Sequence, residues 1–109
     1  MNLKNLIKDA NETLGLPIDW NQTATDENYR QLFMCARMVL DKLIGVWDVN
    51  DNYVINHTQL RVSNSTLVYG ILAEYSFAAG MFNEYKVWNK KYADGVFGGR
   101  NGKTRTIKI

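Results

Sequence analysis

The sequence predicts a mainly α-helical protein: a small bundle of about four helices, with a long loop or small β-hairpin in the middle and an extended C-terminal arm. Apolar residues recur every three or four positions in four segments, and a glycine lies at or near the end of each one. The chain has 109 residues, of which 46% are apolar and one is proline. This length fits one domain, and the apolar fraction is ordinary for a chain that buries a core.

The first predicted helix covers residues 3–14, where charged residues alternate with an apolar stripe. The stripe consists of Leu3, Leu6, Ile7, Ala10 and Leu14. Gly15 supplies a left-handed residue that ends the helix, and Pro17 prevents it from resuming. In the loop that follows, over residues 18–24, Ile18 and Trp20 are large apolar groups that we expect to fold back onto the core.

The second predicted helix is the strongest periodic signal, about 20 residues long, with Thr25 as its N-cap. Its apolar stripe consists of Leu32, Cys35, Ala36, Val39, Leu40, Leu43 and Trp47. Gly45 weakens its last turn. Cys35 is the only cysteine, so no internal disulfide can form, and we interpret it as a small buried hydrophobe.

In the middle segment, residues 48–66, turn-forming and β-prone residues replace the helical pattern. Residues 48–52 have turn chemistry, and the β-prone pieces 53–55 and 59–62 could pair as a small hairpin. The alternative is a loop, either ordered or partly mobile.

The third predicted helix begins at Ser63 or Ser65 and is apolar on most sides. Its apolar residues are Leu67, Val68, Ile71, Leu72, Tyr75 and Ala79. Glu74 is the only charge between residues 67 and 81, so this helix should be central to the domain or lie at a subunit interface.

The fourth predicted helix follows a break at Gly80, covers residues 81–94 and ends at Gly95. Its apolar side consists of Met81, Phe82, Tyr85, Trp88 and Tyr92. We therefore divide the chain into a helical domain, residues 1–97, and a basic arm, residues 98–109.

The arm alternates in its last six residues, as a β-strand does, but no strand inside the chain is available to pair with it. It could complete the sheet edge of another subunit, or it could be a frayed terminus. The residues that we expect to bind a partner are Arg100, Lys103, Arg105, Ile107, Lys108 and Ile109.

Charge is distributed unevenly along the chain. Residues 1–85 contain six Lys or Arg and ten Asp or Glu, whereas residues 86–109 contain seven basic residues and one acid. A chain polarised in this way can bind its tail to an acidic surface, including one on another copy, or to nucleic acid. A solvated basic tail is the simpler alternative.

Catalytic and cofactor motifs are missing from the sequence, so we expect no enzyme, no cofactor and no metal site. Neither a phosphate-binding loop nor a dinucleotide fingerprint is present, and one histidine with one cysteine cannot form a common zinc site. Asp48, Asp51 and Asn52 do not have the spacing of a calcium loop. Glu74 has no second acid or base nearby in sequence. We also expect a soluble protein, since no apolar run could span a membrane and no signal-peptide pattern opens the chain.

Two segments carry a family resemblance: residues 38–47 (MVLDKLIGVW) and residues 67–92 (LVYGILAEYSFAAGMFNEYKVWNKKY). With the variable loop between them, they resemble the head–tail connector proteins of tailed bacteriophages, which are also called adaptor or head-completion proteins. The shared features are a long helix ending near a tryptophan, an Ala-Glu-Tyr-type helix, a short break, a Trp-x-x-x-Tyr helix and a basic C-terminal extension. The resemblance extends over most of the chain from Thr25 onward.

The resemblance implies a structural virion protein at the head–tail junction, assembled in the host cytoplasm. It implies a ring, typically of about twelve subunits, that docks on the portal protein, receives downstream tail proteins and surrounds DNA without reading its sequence. The arm from Arg100 onward would contact the portal or a neighbouring subunit. The loop from residue 48 to 62, with Asp51, Tyr53 and Arg61, would face the tail or the channel.

A second hypothesis comes from the basic C-terminal part of the chain, where aromatic and basic residues are interleaved between residues 85 and 92. Under this hypothesis the chain is a small nucleic-acid-binding regulatory protein. An enzyme is the third hypothesis, and the residue types that acid–base or nucleophilic chemistry requires are not brought together in the sequence.

Overall fold

The computed structural model describes residues 1–100, together with the side chains of residues 1–98, and within this range it is mainly helical. Five α-helices and one short 3-10 turn, Thr23–Thr25, are present there, and none of these residues belongs to a β-sheet. The helices are α1 (Leu3–Leu14), α2 (Glu27–Ile44), α3 (His57–Leu60), α4 (Asn64–Ala78) and α5 (Phe82–Arg100). The predicted fold class, a small helical bundle, is confirmed.

Helix α1 has the predicted bounds because both of its ends are capped locally. The Asn2 side chain accepts a hydrogen bond from the Asn5 N–H at 3.0 Å. Gly15 has a φ of +66° and donates its N–H to the Asn11 carbonyl at 2.7 Å, which closes the last turn. The stripe Leu3, Leu6, Ile7 and Ala10 is buried. Ile18 and Trp20 fold back onto the core as predicted.

Helix α2 is capped by Asp26, so the prediction that Thr25 is the N-cap is wrong by one residue. Thr25 lies in the 3-10 turn, and its hydroxyl donates to the Gln22 carbonyl. The Asp26 carboxylate accepts the N–H groups of Asp19 and Tyr29, each at 2.9 Å, and these two hydrogen bonds lower its pKa. A carboxylate also suits the positive end of the helix dipole.

The C-terminus of α2 comes earlier than the apolar pattern predicted. Gly45 adopts a φ of +68° and donates its N–H to the Asp41 carbonyl, which ends the helix. Trp47 therefore lies beyond the helix and is exposed, so its inclusion in the buried stripe was wrong. The other six residues of that stripe are buried.

The middle segment is a loop containing the one-turn helix α3, and the hairpin alternative is wrong within these residues. The β-prone piece 53–55 pairs with the start of the chain through an isolated bridge between Asn2 and Val54. The Leu3 N–H donates to the Tyr53 carbonyl, and the Ile55 N–H donates to the Met1 carbonyl, both at 2.9 Å. Pairing with the N-terminus leaves residues 57–60 free to form α3.

Helix α4 is central, as one of the two alternatives for it predicted. Ser63 is its N-cap and accepts the Thr66 N–H at 3.2 Å. Helices α1, α2 and α5 all pack against α4. Three neighbours explain why this helix is apolar on most sides.

Helix α5 continues through Gly95 to Arg100, so the prediction that Gly95 ends the helix is wrong. Gly95 instead lies against the Thr66 side chain, where an added Cβ would overlap it. Gly70 on α4 likewise allows α5 to approach closely, because a Cβ there would come within 2.8 Å of the Tyr92 ring. Small residues on both helices thus allow close packing. Residues 98–100, which were assigned to the extended arm, are helical.

Candidate interaction surfaces

Two of the three predicted loop residues, Asp51 and Tyr53, bind the start of α1. The Asp51 carbonyl accepts the Lys4 N–H at 3.1 Å, and the Tyr53 carbonyl accepts that of Leu3. The Asp51 carboxylate accepts the Tyr29 hydroxyl at 2.8 Å. Burial and this neighbouring carboxylate raise the pKa of Tyr29. Both loop side chains are half-buried, so they hold the fold together as well as lining its surface.

Arg61, the third predicted loop residue, ends α3. Its φ is +62°, the left-handed region that glycine normally occupies, and its N–H donates to the His57 carbonyl at 2.8 Å. The side chain is exposed. It shares none of the contacts that hold Asp51 and Tyr53 against α1.

The predicted arm residues fall mostly outside the described range. Arg100 is the last residue of α5. The remaining five, Lys103, Arg105, Ile107, Lys108 and Ile109, lie beyond it.

The outward side of α2 carries an apolar surface that the sequence pattern did not reveal; we call it the α2 outer face. Met34, Met38 and Trp47 are 44%, 36% and 40% exposed. The Arg37 guanidinium lies 4.4 Å from the Trp47 ring and 5.4 Å from the Phe33 ring, and its Nε donates to the Trp47 carbonyl at 2.8 Å. These contacts hold the tryptophan against the helix and extend the surface.

Charged residues of both signs border the α2 outer face, among them the exposed Arg30 and Lys42, which lie one helical turn from Met34 and Met38 respectively. Asp41 follows Met38 by one helical turn, and Asp48 follows Trp47 directly. Both side chains are exposed, and neither forms an ion pair with any residue whose side chain is described.

A second apolar surface, the aromatic corner, lies where α4 turns into α5. Phe77 and Phe82 are 57% and 56% exposed, and their ring centroids are 5.9 Å apart. The Tyr85 ring packs against Phe77 at 5.2 Å. Lys86 lies one turn after Phe82, is exposed, and has no carboxylate partner within the range that the structure describes.

A groove of about 260 Å³ separates α2 from α5 above α4. Its lining is mainly apolar and aromatic: Val39, Lys42, Gly70, Ala73, Glu74, Phe77, Tyr85, Asn89 and Tyr92. The Lys42 ammonium and the Glu74 carboxylate form an ion pair at 2.5 Å across one wall. Glu74, the single charge in the apolar stretch of α4, therefore has a lysine partner on α2.

Cys35 is buried, as predicted. Burial, followed by the nearby Glu74 carboxylate, raises the pKa of its thiol to about 12. A thiol that stays protonated at neutral pH is a poor nucleophile.

A basic and aromatic patch lies along the contact of α4 with α5. The Tyr69 and Trp88 rings stack with centroids 5.9 Å apart, and the Lys91 ammonium lies 5.6 Å from the centre of the Tyr69 ring. Stacked rings with an adjacent cation are groups that single-stranded nucleic acid can contact.

Two further features were sought in the described part of the chain. Residues 1–100 contain no group of three or more His, Cys, Asp or Glu side chains that could hold a metal ion. None of the helices there combines the length and the apolar character that crossing a bilayer requires.

Comparisons with protein-family models, curated proteins and solved structures gave no match to this chain.

The C-terminal end of α4 forms half of the aromatic corner. That α4 lies at a subunit interface, the other alternative for this helix, stays a prediction. Met34 and Met38 lie outside the apolar stripe of α2, so the periodicity of that stripe gave no reason to expect a surface there. Two methionines on the polar side of an amphipathic helix were the available signal.

Proposed function

We propose that this chain is a structural virion protein, a subunit of a head–tail connector ring that links capsid to tail around the DNA channel. The resemblance of residues 38–47 and 67–92 to connector proteins is the sequence support. The physical support is a small helical body with two unlike exposed apolar surfaces, the α2 outer face and the aromatic corner. Surfaces of this kind serve contacts with other chains.

The observation that carries the proposal is the course of α5. This helix starts at the aromatic corner, packs on α4 and leads directly into residues 101–109. Those nine residues contain three basic side chains and no acidic ones. A helix that is followed in the sequence by a cationic segment is suited to reaching an adjoining polypeptide.

In the proposed assembly the ring, of about twelve copies, docks on the portal protein and receives the tail proteins on its other side. Arg100, Lys103, Arg105, Ile107, Lys108 and Ile109 bind the portal or a neighbouring subunit. The loop with Asp51, Tyr53 and Arg61 faces the tail or the channel. DNA passes without sequence-specific contacts, and the assembled site is the virion head–tail junction, built in the host cytoplasm.

Removal of residues 101–109 tests the proposal. We expect the shortened protein to keep its helical content and melting temperature, because every core residue that the structure describes lies between Leu3 and Val96. We also expect it to be lost from portal complexes in co-sedimentation. Two full-length variants separate charge from apolar contact: one replaces Lys103, Arg105 and Lys108 by Gln, and the other replaces Ile107 and Ile109 by Asn. Normal portal binding by the shortened protein would contradict the proposal.

The nucleic-acid-binding alternative is favoured by one observation, the Tyr69–Trp88 stack with Lys91 beside it. It predicts DNA affinity that falls steeply with salt and that decreases when Lys91 or Trp88 is replaced by Ala. Fluorescence anisotropy with labelled single- and double-stranded DNA measures this. Negligible binding at low salt would exclude the alternative.

A further inference from the structure

We propose that, in the free subunit, residues 103–109 fold back and dock in the groove between α2 and α5 of their own chain. The inference adds a regulated state to the segment that the proposed function gives to the portal or a neighbouring subunit, and it rests on that function only for the release of the segment. Docking covers Ile107 and Ile109 until another chain offers them a better site. These two residues lie outside the described range, whereas the groove lies within it.

The groove leaves apolar surface uncovered. Helices α2 and α5 each pack on α4, and the groove lies between them. Its lining includes Ala73 and the rings of Phe77 and Tyr85, and Phe77 is 57% exposed. Covering such surface with apolar side chains is favourable. The Lys42–Glu74 ion pair neutralises the charges of its wall, so an isoleucine can enter without burying an unpaired carboxylate.

The length of the segment matches the distance back along α5 to the groove. Helix α5 ends at Arg100, and its groove residues Tyr92 and Tyr85 precede that end by eight and fifteen positions. At 1.5 Å per helical residue, they lie about 12 and 22 Å back along the helix axis. If residues 101 and 102 reverse the chain, the seven residues that follow span at most about 23 Å when extended. Residue 109 then comes level with Tyr85, the groove residue of α5 farthest from Arg100.

The sequence of the segment suits this path. Asn101 and Gly102 directly follow α5, and this dipeptide is typical of tight turns. In an extended chain, Ile107 and Ile109 lie on one side and Lys108 on the other. Both isoleucines can therefore face the groove while Lys108 stays in water. Arg105, on the side of the isoleucines, comes level with a point short of the groove and also remains solvated.

Covalent attachment selects this segment as the occupant. A short tether gives the segment an effective concentration in the millimolar range at its own groove, which the segment of another copy does not reach in dilute solution. Terminal segments open with free energies close to zero, so the segment leaves the groove before the helices melt. Its removal is therefore compatible with an unchanged melting temperature. A portal or neighbouring subunit that binds the isoleucines more tightly shifts the segment out of the groove.

Cross-linking within one chain tests the docked state. Thr106→Cys is combined with Asn89→Cys, at an exposed groove position, in the full-length protein; both isoleucines stay, and Cys35 is retained because it is buried. In the matched control, Asp94→Cys replaces Asn89→Cys. Asp94 is exposed, lies about 140° around α5 from Asn89 and is closer to residue 106 in sequence, so an undocked segment should link to it more readily.

A short bis-maleimide should link the Asn89→Cys variant several-fold faster than the control, and the product should be monomeric at every protein concentration. Linking of the control at an equal or higher rate would overturn the inference. A mainly dimeric product would also overturn it, because the segment would then occupy the groove of another copy.

Limited proteolysis measures the same equilibrium without added cysteines. Trypsin cleaves after Lys103 and Arg105 only in the undocked segment, so the cleavage rate follows the undocked fraction when opening is fast. Ile107→Asn combined with Ile109→Asn should raise this rate by roughly three- to tenfold. Free peptides of residues 98–109, with and without the two replacements, correct for their direct effect on trypsin. Equal corrected rates in the two proteins would count against docking.

The two proposals fail in different ways. Portal binding by a chain whose segment shows no preference for its own groove would remove this inference and leave the connector proposal standing. A segment that docks in the free subunit of a protein that never joins portal complexes would support the inference and contradict the connector proposal.

Discussion

At the residue scale, Cys35 was correctly predicted to be buried, and its burial raises the pKa of its thiol. Its position on the apolar stripe of α2 predicted burial, and the structure confirms it. The sequence could not provide its neighbour Glu74, which lies on another helix and adds to the effect of burial. The folded thiol resists ionisation, whereas the unfolded thiol ionises near its ordinary pKa of 9.0.

We therefore expect the free energy of unfolding to fall as pH rises above about 9, because the unfolded state then loses a proton that the folded state keeps. The thiol contribution is fully present below pH 9 and should decline by up to about 1.4 kcal/mol per pH unit. Urea denaturation between pH 8.5 and 10 measures it. Cys35→Ala, the control, should show a flatter profile, and parallel profiles would contradict the assignment.

At the scale of a helix, Gly95 shows that a glycine can serve packing where local rules predict a helix end. Local rules treat a glycine after a periodic segment as a helix end, and the prediction from that rule was correct at Gly15. It failed at Gly95 because the glycine is there to admit the Thr66 side chain between α4 and α5. Only the packed neighbour distinguishes the two uses of the residue.

Gly95→Ala tests this packing. Helix propensity alone would favour alanine by about 1 kcal/mol, but overlap with Thr66 should cost roughly 1–3 kcal/mol. We expect a net loss of stability in urea denaturation. Thr66→Ala should be less harmful in the Gly95→Ala background than alone, giving a coupling of roughly 1 kcal/mol in a double-mutant cycle.

Ala93→Gly, at an exposed position of α5, measures how much an alanine-to-glycine exchange changes stability through helix propensity alone. It serves as the reference for Gly95→Ala. If Gly95 were instead a left-handed residue that ends α5, the Gly95→Ala variant would also lose stability, because alanine is strained at positive φ, but the cycle would show no coupling with Thr66.

The middle segment marks another limit on prediction from sequence. Residues 53–55 were correctly recognised as β-prone, yet their partner is the first residues of the chain, about fifty positions away, and not the nearby piece 59–62. The spacing of apolar residues and the β-propensity of a segment predict local structure only. Neither predicts which distant segment a β-prone piece will pair with.

At the scale of the whole molecule, the helical fold, the N-caps of α2 and α4 to within a residue, and most of the core could be predicted, because each depends on local spacing. The exposed surfaces could be predicted less well. Phe77 and Phe82 become neighbours only when Gly80, with a φ of +75°, turns the chain between their helices. Trp47 lies beside α2 only because Gly45 ends the helix and the Arg37 side chain holds the ring.

Electron microscopy of the full-length protein mixed with purified portal rings tests the connector proposal most directly. We expect closed rings of this chain coaxial with the portal, with residues 101–109 contacting the portal or the next subunit. Portal rings that remain bare at saturating protein, or rings in which residues 101–109 contact only their own helices, would contradict it.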